Sequence, residues 1–404
     1  IYEDMISKNV MNRLLQGDVG SGKTVVAICA MYINFLSGYQ SAMMAPTEVL
    51  AVQHYNNLIK YFENYDIKVG LLTGKMKASE KRRIHEMIQN GEIDIIIGTH
   101  ALITDDVIYK NLGLVITDEQ HRFGVNQRGC LKSKGINPDI LYMSATPIPR
   151  TYALTLYGDM DISNIKTMPA GRKDIQTFLK RNNEIKDVLM MMYSQLRENH
   201  QIYVVAPLIE ESENSDMENV LDLYNKMTKA FGKKYNIGIM HGKLKSDEKE
   251  EMMRAFKDNQ IQVLVATTVI EVGVDVPNAT MMVIFDAYRF GLSTIHQLRG
   301  RVGRNQFQSY CILISDKETK RLQILTETTD GFKISEEDFL LRGSGDIFGV
   351  KQSGDMVFNL SNLKKDYKLL LRVKDDVEYF VSNIINDDNN TYFKELFKKS
   401  INLD

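Results

Sequence analysis

Gly17-Asp18-Val19-Gly20-Ser21-Gly22-Lys23-Thr24 sets three glycines, a lysine and a hydroxyl in an order suited to gripping a chain of phosphates. Gly17, Gly20 and Gly22 would let backbone N–H groups converge on anionic oxygens, Lys23 would bridge the outer phosphates, and Thr24 would hold Mg²⁺. Asp118 and Glu119 follow the apolar run Leu114-Val115-Ile116. Asp118 would complete the Mg²⁺ shell, and Glu119 would orient or deprotonate an attacking water. Far downstream, Arg301 and Arg304 lie three apart in glycine-rich sequence behind Gln297, so on a helical turn they point the same way. Arginine stabilises developing phosphate charge without losing its own proton. Taken singly, these are a glycine turn, a solvated acidic pair and an exposed arginine pair. Together they predict one ATP site split between two bodies. Asp275 is a further candidate, as acceptor of a ribose hydroxyl.

Other polar residues punctuate the ends of apolar runs. Gln120 and His121 adjoin the carboxylates, and Ser144 and Thr146 close the next run with two hydroxyls, placed to sense the terminal phosphate. Thr47, Thr73, Gly74, Thr99, His100, His241, Gly242, Thr267 and Thr268 end runs in both halves of the chain. Such groups suit sugar–phosphate contacts, which position a nucleic acid without reading its sequence. Each alone reads as well as helix capping or turn chemistry. Their repetition favours a track across both halves, on the edge away from the ATP cleft.

The elements that must position these residues are buried parallel strands alternating with helices. Apolar runs fall at Leu14–Leu15, Met43–Met44, Ile95–Ile97, Leu114–Ile116 and Leu141–Met143, then at Tyr203–Val205, Ile237–Met240, Val263–Val265, Met281–Phe285 and Cys311–Ile314. They lack polar alternation, as strands covered by helices on both faces do. The halves also repeat. Gly74-Lys75-Met76-Lys77-Ala78-Ser79-Glu80-Lys81 returns as Gly242-Lys243-Leu244-Lys245-Ser246-Asp247-Glu248-Lys249, an offset of 168 (242 minus 74). The same offset carries Ile93–Thr99 onto Ile261–Thr267, so two related lobes are expected. The phosphate loop is not repeated. Only the first lobe can hold nucleotide in its own loop.

Composition is consistent with this plan but does not select it. Lys+Arg 50 against Asp+Glu 52 leaves a net charge of -2, which neither advertises nucleic acid nor excludes a local basic groove. Three scattered cysteines form no CxxC pair and no disulfide framework, so a reduced cytoplasm is expected. No apolar run is long enough to span a bilayer. The chain opens on Ile1 in mid-pattern, which predicts an upstream part.

The strings LLQGDVGSGKT, APTEVLAVQH, DEQHRFGVNQR, SATPIPRT, TTVIEVGVDVPNAT and HQLRGRVGR resemble, in order, the motif series of superfamily 2 helicases. DEQH, with HRFGV and PIPRTYALTLYGD, is similar to the RecG family within them. The resemblance implies two tandem RecA-like P-loop domains, at 1–168 and 169–315, followed by a C-terminal helical hairpin and loop segment at 316–404. It implies that Lys23, Thr24, Asp118, Glu119, Arg301 and Arg304 carry ATP hydrolysis, with ATP and Mg²⁺ as cofactors. It implies a bacterial, cytoplasmic, nucleoid-associated monomer acting on branched double-stranded DNA (forks and Holliday junctions), with no membrane partner. The upstream part would be a wedge domain with an oligonucleotide-binding fold. Asn305 and, near Arg289-Phe290-Gly291, Phe285 and Tyr288 depart from the family's usual residues. A transcription-repair coupling type of translocase is the alternative, for which a second glutamate would be expected at Gln120. A nucleotide-dead DNA-binding scaffold would require a broken Lys23, Glu119 or Arg304.

Beyond Ile314 the pattern predicts helices over Asp316–Glu327 and Ser335–Leu341, with Ser335 and Asp338 in capping positions. The glycine-rich stretch after them resembles the family's translocation motif, with Arg342 and Gln352 on its matching positions as residues coupling cleft closure to movement. Leu360–Phe397 then reads as amphipathic helix.

Overall fold

The computed structural model describes residues 1–119, 123, 130–131, 133–145, 160–168, 173–207, 213–267 and 276–346, and farther on 369, 372–373, 376–377 and 379–380. Strands β1 (Asn12–Gly17), β2 (Gln40–Met44), β3 (Val69–Leu72), β4 (Ile95–Gly98), β5 (Leu112–Thr117), β6 (Asp139–Ser144) and β7 (Asp161–Ile165) form one sheet. Strands β8 (Gln176–Lys180), β9 (Gln201–Val205), β10 (Ile237–Met240), β11 (Val263–Ala266), β12 (Ala279–Ile284) and β13 (Tyr310–Ile314) form the other. The orders are β3-β4-β2-β5-β6-β1-β7 and β10-β11-β9-β12-β13-β8. Every paired neighbour is parallel. The second order is the first without its last strand, so the repeat in the sequence is a repeat of topology.

Alternate residues of the central strands serve opposite faces. Met43, Ile95, Ile97, Leu114 and Ile116 pack with Ala27, Met31, Leu50 and Leu58 from the helices Lys23–Leu36 and Glu48–Tyr61. Ala42, Met44, Ile96 and Val115 pack on the other face with Ile88 and Leu102. Both faces are covered, which is why the runs are continuously apolar. The strands that sequence reading passed over are β3, β7 and β8, all at sheet edges. An edge strand is buried on fewer sides, and Asp161-Ile162-Ser163-Asn164-Ile165 and Gln176-Thr177-Phe178-Leu179-Lys180 accordingly carry polar residues.

The repeat extends to buried polar locks. Gln40 Nε2 donates to the carbonyls of Ile88 (3.0 Å) and Ile93 (2.8 Å), and its Oε1 accepts from the amides of Lys110 (2.9 Å) and Asn111 (3.1 Å). In the second lobe Gln201 Nε2 donates to Phe256 and Ile261, each 168 beyond its counterpart (256 minus 88, 261 minus 93). Lys81 Nζ bonds Gly74 O at 2.6 Å, and Lys249 Nζ bonds Gly242 O at 2.8 Å. Each glutamine ties a helix end to the strand that follows. We expect Gln40→Leu to destabilise the protein by about 2 kcal/mol or more, because several buried backbone groups lose their partner at once. A denaturant midpoint unchanged from wild type would show that the lock is dispensable.

The C-terminal helices differ in their starts from the sequence expectation. The first is Lys320–Glu327, capped by Thr319, whose hydroxyl accepts from Leu322 N at 3.4 Å. The second is Gly331–Asp346, opened by Asp330, whose Oδ1 accepts from Phe332 N at 2.8 Å. Ser335 therefore lies inside the helix, because Asp330 caps it a turn earlier. Both sheets and the described residues up to Asp338 belong to one compact unit, and the described residues from Phe339 on belong to a second. In that second unit Leu369, Val373, Val377 and Tyr379 are exposed, and all four are helical.

Candidate active site

β1 ends at Gly17 and the helix Lys23–Leu36 begins six residues later. Gly20 (φ 77°) and Gly22 (φ 99°) both take the left-handed conformation, which favours glycine and turns the loop's amides inward. Lys23 is buried (9% exposed), and its Nζ donates to the carbonyls of Gly17 (2.7 Å) and Asp18 (2.9 Å). Burial lowers its pKa, against the opposing pull of Glu119, Asp118 and Asp18, while the charge of Arg304 pushes it the same way as burial.

β5 delivers the two carboxylates at its carboxyl end. Asp118 Oδ2 lies 2.8 Å from His54 Nε2, and Asp118 Oδ1 accepts from Glu119 N at 3.0 Å. Burial alone would raise the Asp118 pKa. The hydrogen bond and charge of His54, the charge of Lys23 and the Glu119 amide outweigh burial and hold the pKa below the usual carboxylate value. An ionised Asp118 suits cation ligation. Among the described residues no group of three or more His, Cys, Asp or Glu side chains could hold a metal, so a cation here would draw its remaining ligands from phosphate and water. Glu119 has φ 51°, a conformation that costs a non-glycine residue and is found concentrated at functional sites. Its Oε2 accepts from Ala145 N at 3.5 Å, directly after Ser144 at the end of β6.

The second lobe closes this cluster. The helix Leu292–Arg299 and the turn after it present Gln297, Arg301 and Arg304 to the same cavity of about 140 Å³ that Gly20, Lys23, Thr24, Asp118 and Glu119 line. Residues nearly three hundred positions apart thus share one space. Gln120, His121, Thr146, Thr268, Asp275 and Gln352 lie outside the described residues, as does the side chain of Arg342.

The hydroxyl and glycine positions end strands on the same carboxyl edge as the glycine-rich loop and the carboxylates, not on the opposite one. In a parallel sheet all carboxyl ends share an edge. The separation is lateral: in the first lobe β1 and β5, with β6 between them, carry the phosphate-loop and carboxylate residues, and β2, β3 and β4 carry the other set. Thr47, Thr99 and His100 line a groove of about 410 Å³ with Lys249, Glu250 and Met253 of the second lobe. Thr73 and Gly74 follow β3, His241 and Gly242 follow β10, and Thr267 follows β11; none of them lines that groove. Thr47 also caps the helix Glu48–Tyr61, accepting from Leu50 N at 3.3 Å. The side-chain oxygens of Thr99 and Thr267, one repeat apart (267 minus 99), are both buried without a hydrogen-bond partner among the described residues. Lys75 bridges the lobes on this side, 2.8 Å from Asp247 and 3.0 Å from Glu250, and those bonds raise its pKa.

Sequence reading missed three residues of this region. His54 holds Asp118, and Asp18 and His296 meet across the lobes at 2.8 Å. His54 ends the string APTEVLAVQH and His296 opens HQLRGRVGR, but nothing in spacing alone says what either touches.

Comparison with known proteins agrees with this geometry. The chain matches the DEAD/DEAH box helicase family over residues 2–154, the helicase conserved C-terminal domain over 181–306, and the C-terminal domain 3 of the ATP-dependent DNA helicase RecG over 328–402. It is 52% identical over 387 residues to the RecG helicase of Bacillus subtilis, covering 95% of this chain and 57% of that protein. It is 49% identical over 407 residues to that of Staphylococcus epidermidis, covering 99% of this chain and 59% of that protein. A solved structure of RecG bound to a three-way DNA junction superposes with a TM-score of 0.76 at 45% identity, over 91% of this chain and 48% of that one. The chain thus spans less than three fifths of the length of these relatives. Its two parallel-sheet lobes are tandem RecA-like helicase domains, and the chain belongs to the RecG family.

Proposed function

We propose that this chain is the motor of an ATP-dependent helicase that translocates on double-stranded DNA and acts on branched DNA, regressing stalled forks and migrating Holliday junctions in recombination and repair. The observation that carries the reading is the single cavity collecting the phosphate loop and carboxylates of one lobe with the arginines of the other. The loop amides and Lys23 bind the phosphates. Glu119 takes a proton from the water whose oxygen attacks the γ-phosphorus, while the bond to the β–γ bridging oxygen breaks and ADP leaves. Arg301 and Arg304 stabilise the charge spread over the transferring phosphoryl group. Mg²⁺, held by Thr24 and Asp118, would neutralise charge on the β- and γ-phosphates. Gln297 and Ser144 stand beside these groups, placed to register the γ-phosphate.

A site whose catalytic groups come from two lobes works only when the lobes are held together, so a nucleic acid lying across both should stimulate turnover. The paired strand-end residues Thr99 and Thr267, with Thr47 and His100, supply contacts of backbone type. The setting consistent with this reading is the bacterial cytoplasm, at the nucleoid, with the protein working as a monomer. No described helix is long and apolar enough to cross a membrane. In the full-length protein we expect ATP hydrolysis to rise from no DNA to single-stranded, duplex and forked DNA in that order. A rate indifferent to DNA would sink the motor reading, and stimulation by single strands alone would sink its duplex part.

A further inference from the structure

The phosphate loop is hydrogen-bonded, through one imidazole, to the base of the C-terminal helices. His296 is 4% exposed and sits between Asp18 Oδ1 at 2.8 Å and Arg299 Nη2 at 3.0 Å. A guanidinium can only donate, so His296 Nδ1 accepts from Arg299 and its proton resides on Nε2, donating to the Asp18 carboxylate. Asp18 also shapes the loop itself. Its side chain accepts from Val19 N at 2.7 Å and its carbonyl receives Lys23 Nζ.

On the other side Arg299, 2% exposed, is committed to the C-terminal segment. Its Nη1 donates to the carbonyls of Leu325 (2.8 Å) and Thr328 (3.0 Å), which end the helix Lys320–Glu327, and to Thr177 Oγ1 of β8 (3.2 Å). These are carbonyls that a helix end leaves without an internal partner, so a buried arginine there fixes the end in place. The next helix touches the same point. A Cβ on Gly331 would stand 2.6 Å from His296 Nε2 and 3.0 Å from Asp18 Oδ2, so the helix backbone is packed against the bridge. One turn earlier on the Leu292–Arg299 helix, Ser293 Oγ bonds Asp338 Oδ2 at 2.9 Å. That short helix, which also carries Gln297 into the ATP cavity, is therefore tied to the loop at one end and to both C-terminal helices.

We propose that His296 is a positioning residue that transmits the set of the phosphate loop, through Asp18 and Arg299, to the C-terminal helices, so that ATP turnover is converted into movement. It does not touch the reacting phosphate: it is absent from the lining of the cavity that holds Lys23, Glu119 and the arginines. Loss of the bridge should leave the chemistry intact and uncouple it. This inference rests on the motor function proposed above.

The test uses the full-length protein and two variants. His296→Ala removes both bonds, whereas His296→Asn keeps an amide oxygen for Arg299 but is too short to reach Asp18, and it remains informative if the alanine variant fails to fold. Both are expected to keep fork-stimulated kcat for ATP within about threefold of wild type while fork unwound per ATP falls about tenfold, a size typical of coupling between two sites. An unchanged amount of fork unwound per ATP in His296→Asn would overturn the inference. So would a parallel fall of hydrolysis and unwinding at unchanged melting temperature, since that is what a histidine serving only the ATP site would do. Failure of the motor reading looks different: the wild-type protein itself would show no DNA-stimulated hydrolysis, and the inference would fall with it.

Discussion

Arg304→Ala is expected to slow DNA-stimulated ATP hydrolysis by about a thousandfold or more, the effect typical of an arginine that stabilises phosphoryl-transfer charge. ATP affinity should change far less, because the loop amides and Lys23 supply most of the ground-state contacts. Arg304 and Lys23 line the same cavity, and the charge of Arg304 is among the influences that lower the Lys23 pKa. A triphosphate in that cavity would give both cations a further anionic partner, most strongly as charge builds on the γ-phosphoryl oxygens. Its partner Arg301, three residues before it, faces the same space. A nucleotide titration run beside single-turnover rates separates the two effects. Equal losses in affinity and rate would assign Arg304 a structural role, its Nε lying 3.4 Å from Gly300 O.

The strands easiest to read were those buried on both faces. Leu114-Val115-Ile116 and Ile95-Ile96-Ile97 have no polar interruption because a helix-covered face awaits every residue, and the repeat spacing of 168 carries them within a residue or so onto β12 and β11. The edge strands were not legible. Asp161–Ile165 pairs only with β1, and its exposed side is free to be polar, so nothing distinguishes it from loop in a single sequence. The second C-terminal helix was placed a turn late for a related reason: Ser335 and Asp330 are both competent caps, and the choice between them is made by packing of Gly331 against His296 and Asp18, a long-range contact.

The residues in and around the cavity divide along the same line. Lys23 opens the helix that follows β1, and Asp118 and Glu119 directly follow β5, so in a parallel sheet their type and position indicated their place. Arg301 and Arg304 could be connected to them only by chemical analogy, since no local pattern says that a turn after residue 299 meets a loop at residue 20. His54 and His296 were invisible in their roles. Each acts through a partner on a different element, Asp118 and Asp18, and a histidine with no visible partner reads as core or surface. The edge shared by the two sets of strand-end residues was also misjudged. Parallel strands put all carboxyl ends together, so the two sets of residues are separated only laterally along one edge.

Glu119→Gln should bind ATP and DNA as the wild-type protein does yet turn over more slowly by a factor on the order of a hundred to ten thousand, the range for loss of a general base. The substitution is nearly isosteric. A glutamine oxygen can still accept from Ala145 N, and the backbone at φ 51° makes the same demand of either side chain. Asp118, next to it, keeps its bonds from His54 and the residue-119 amide, so the carboxylate proposed to hold the cation is undisturbed. What disappears is the negative charge and, with it, a basic oxygen for the water's proton. Lys23→Ala is the contrasting case: it removes a ground-state contact as well, so nucleotide affinity and turnover should fall together. If Glu119→Gln hydrolysed ATP at close to the wild-type rate, the general base would have to be sought elsewhere in the cavity and the strained position of Glu119 would need a different explanation. If it lost ATP binding along with turnover, Glu119 would be part of the cation site, not the group that activates water.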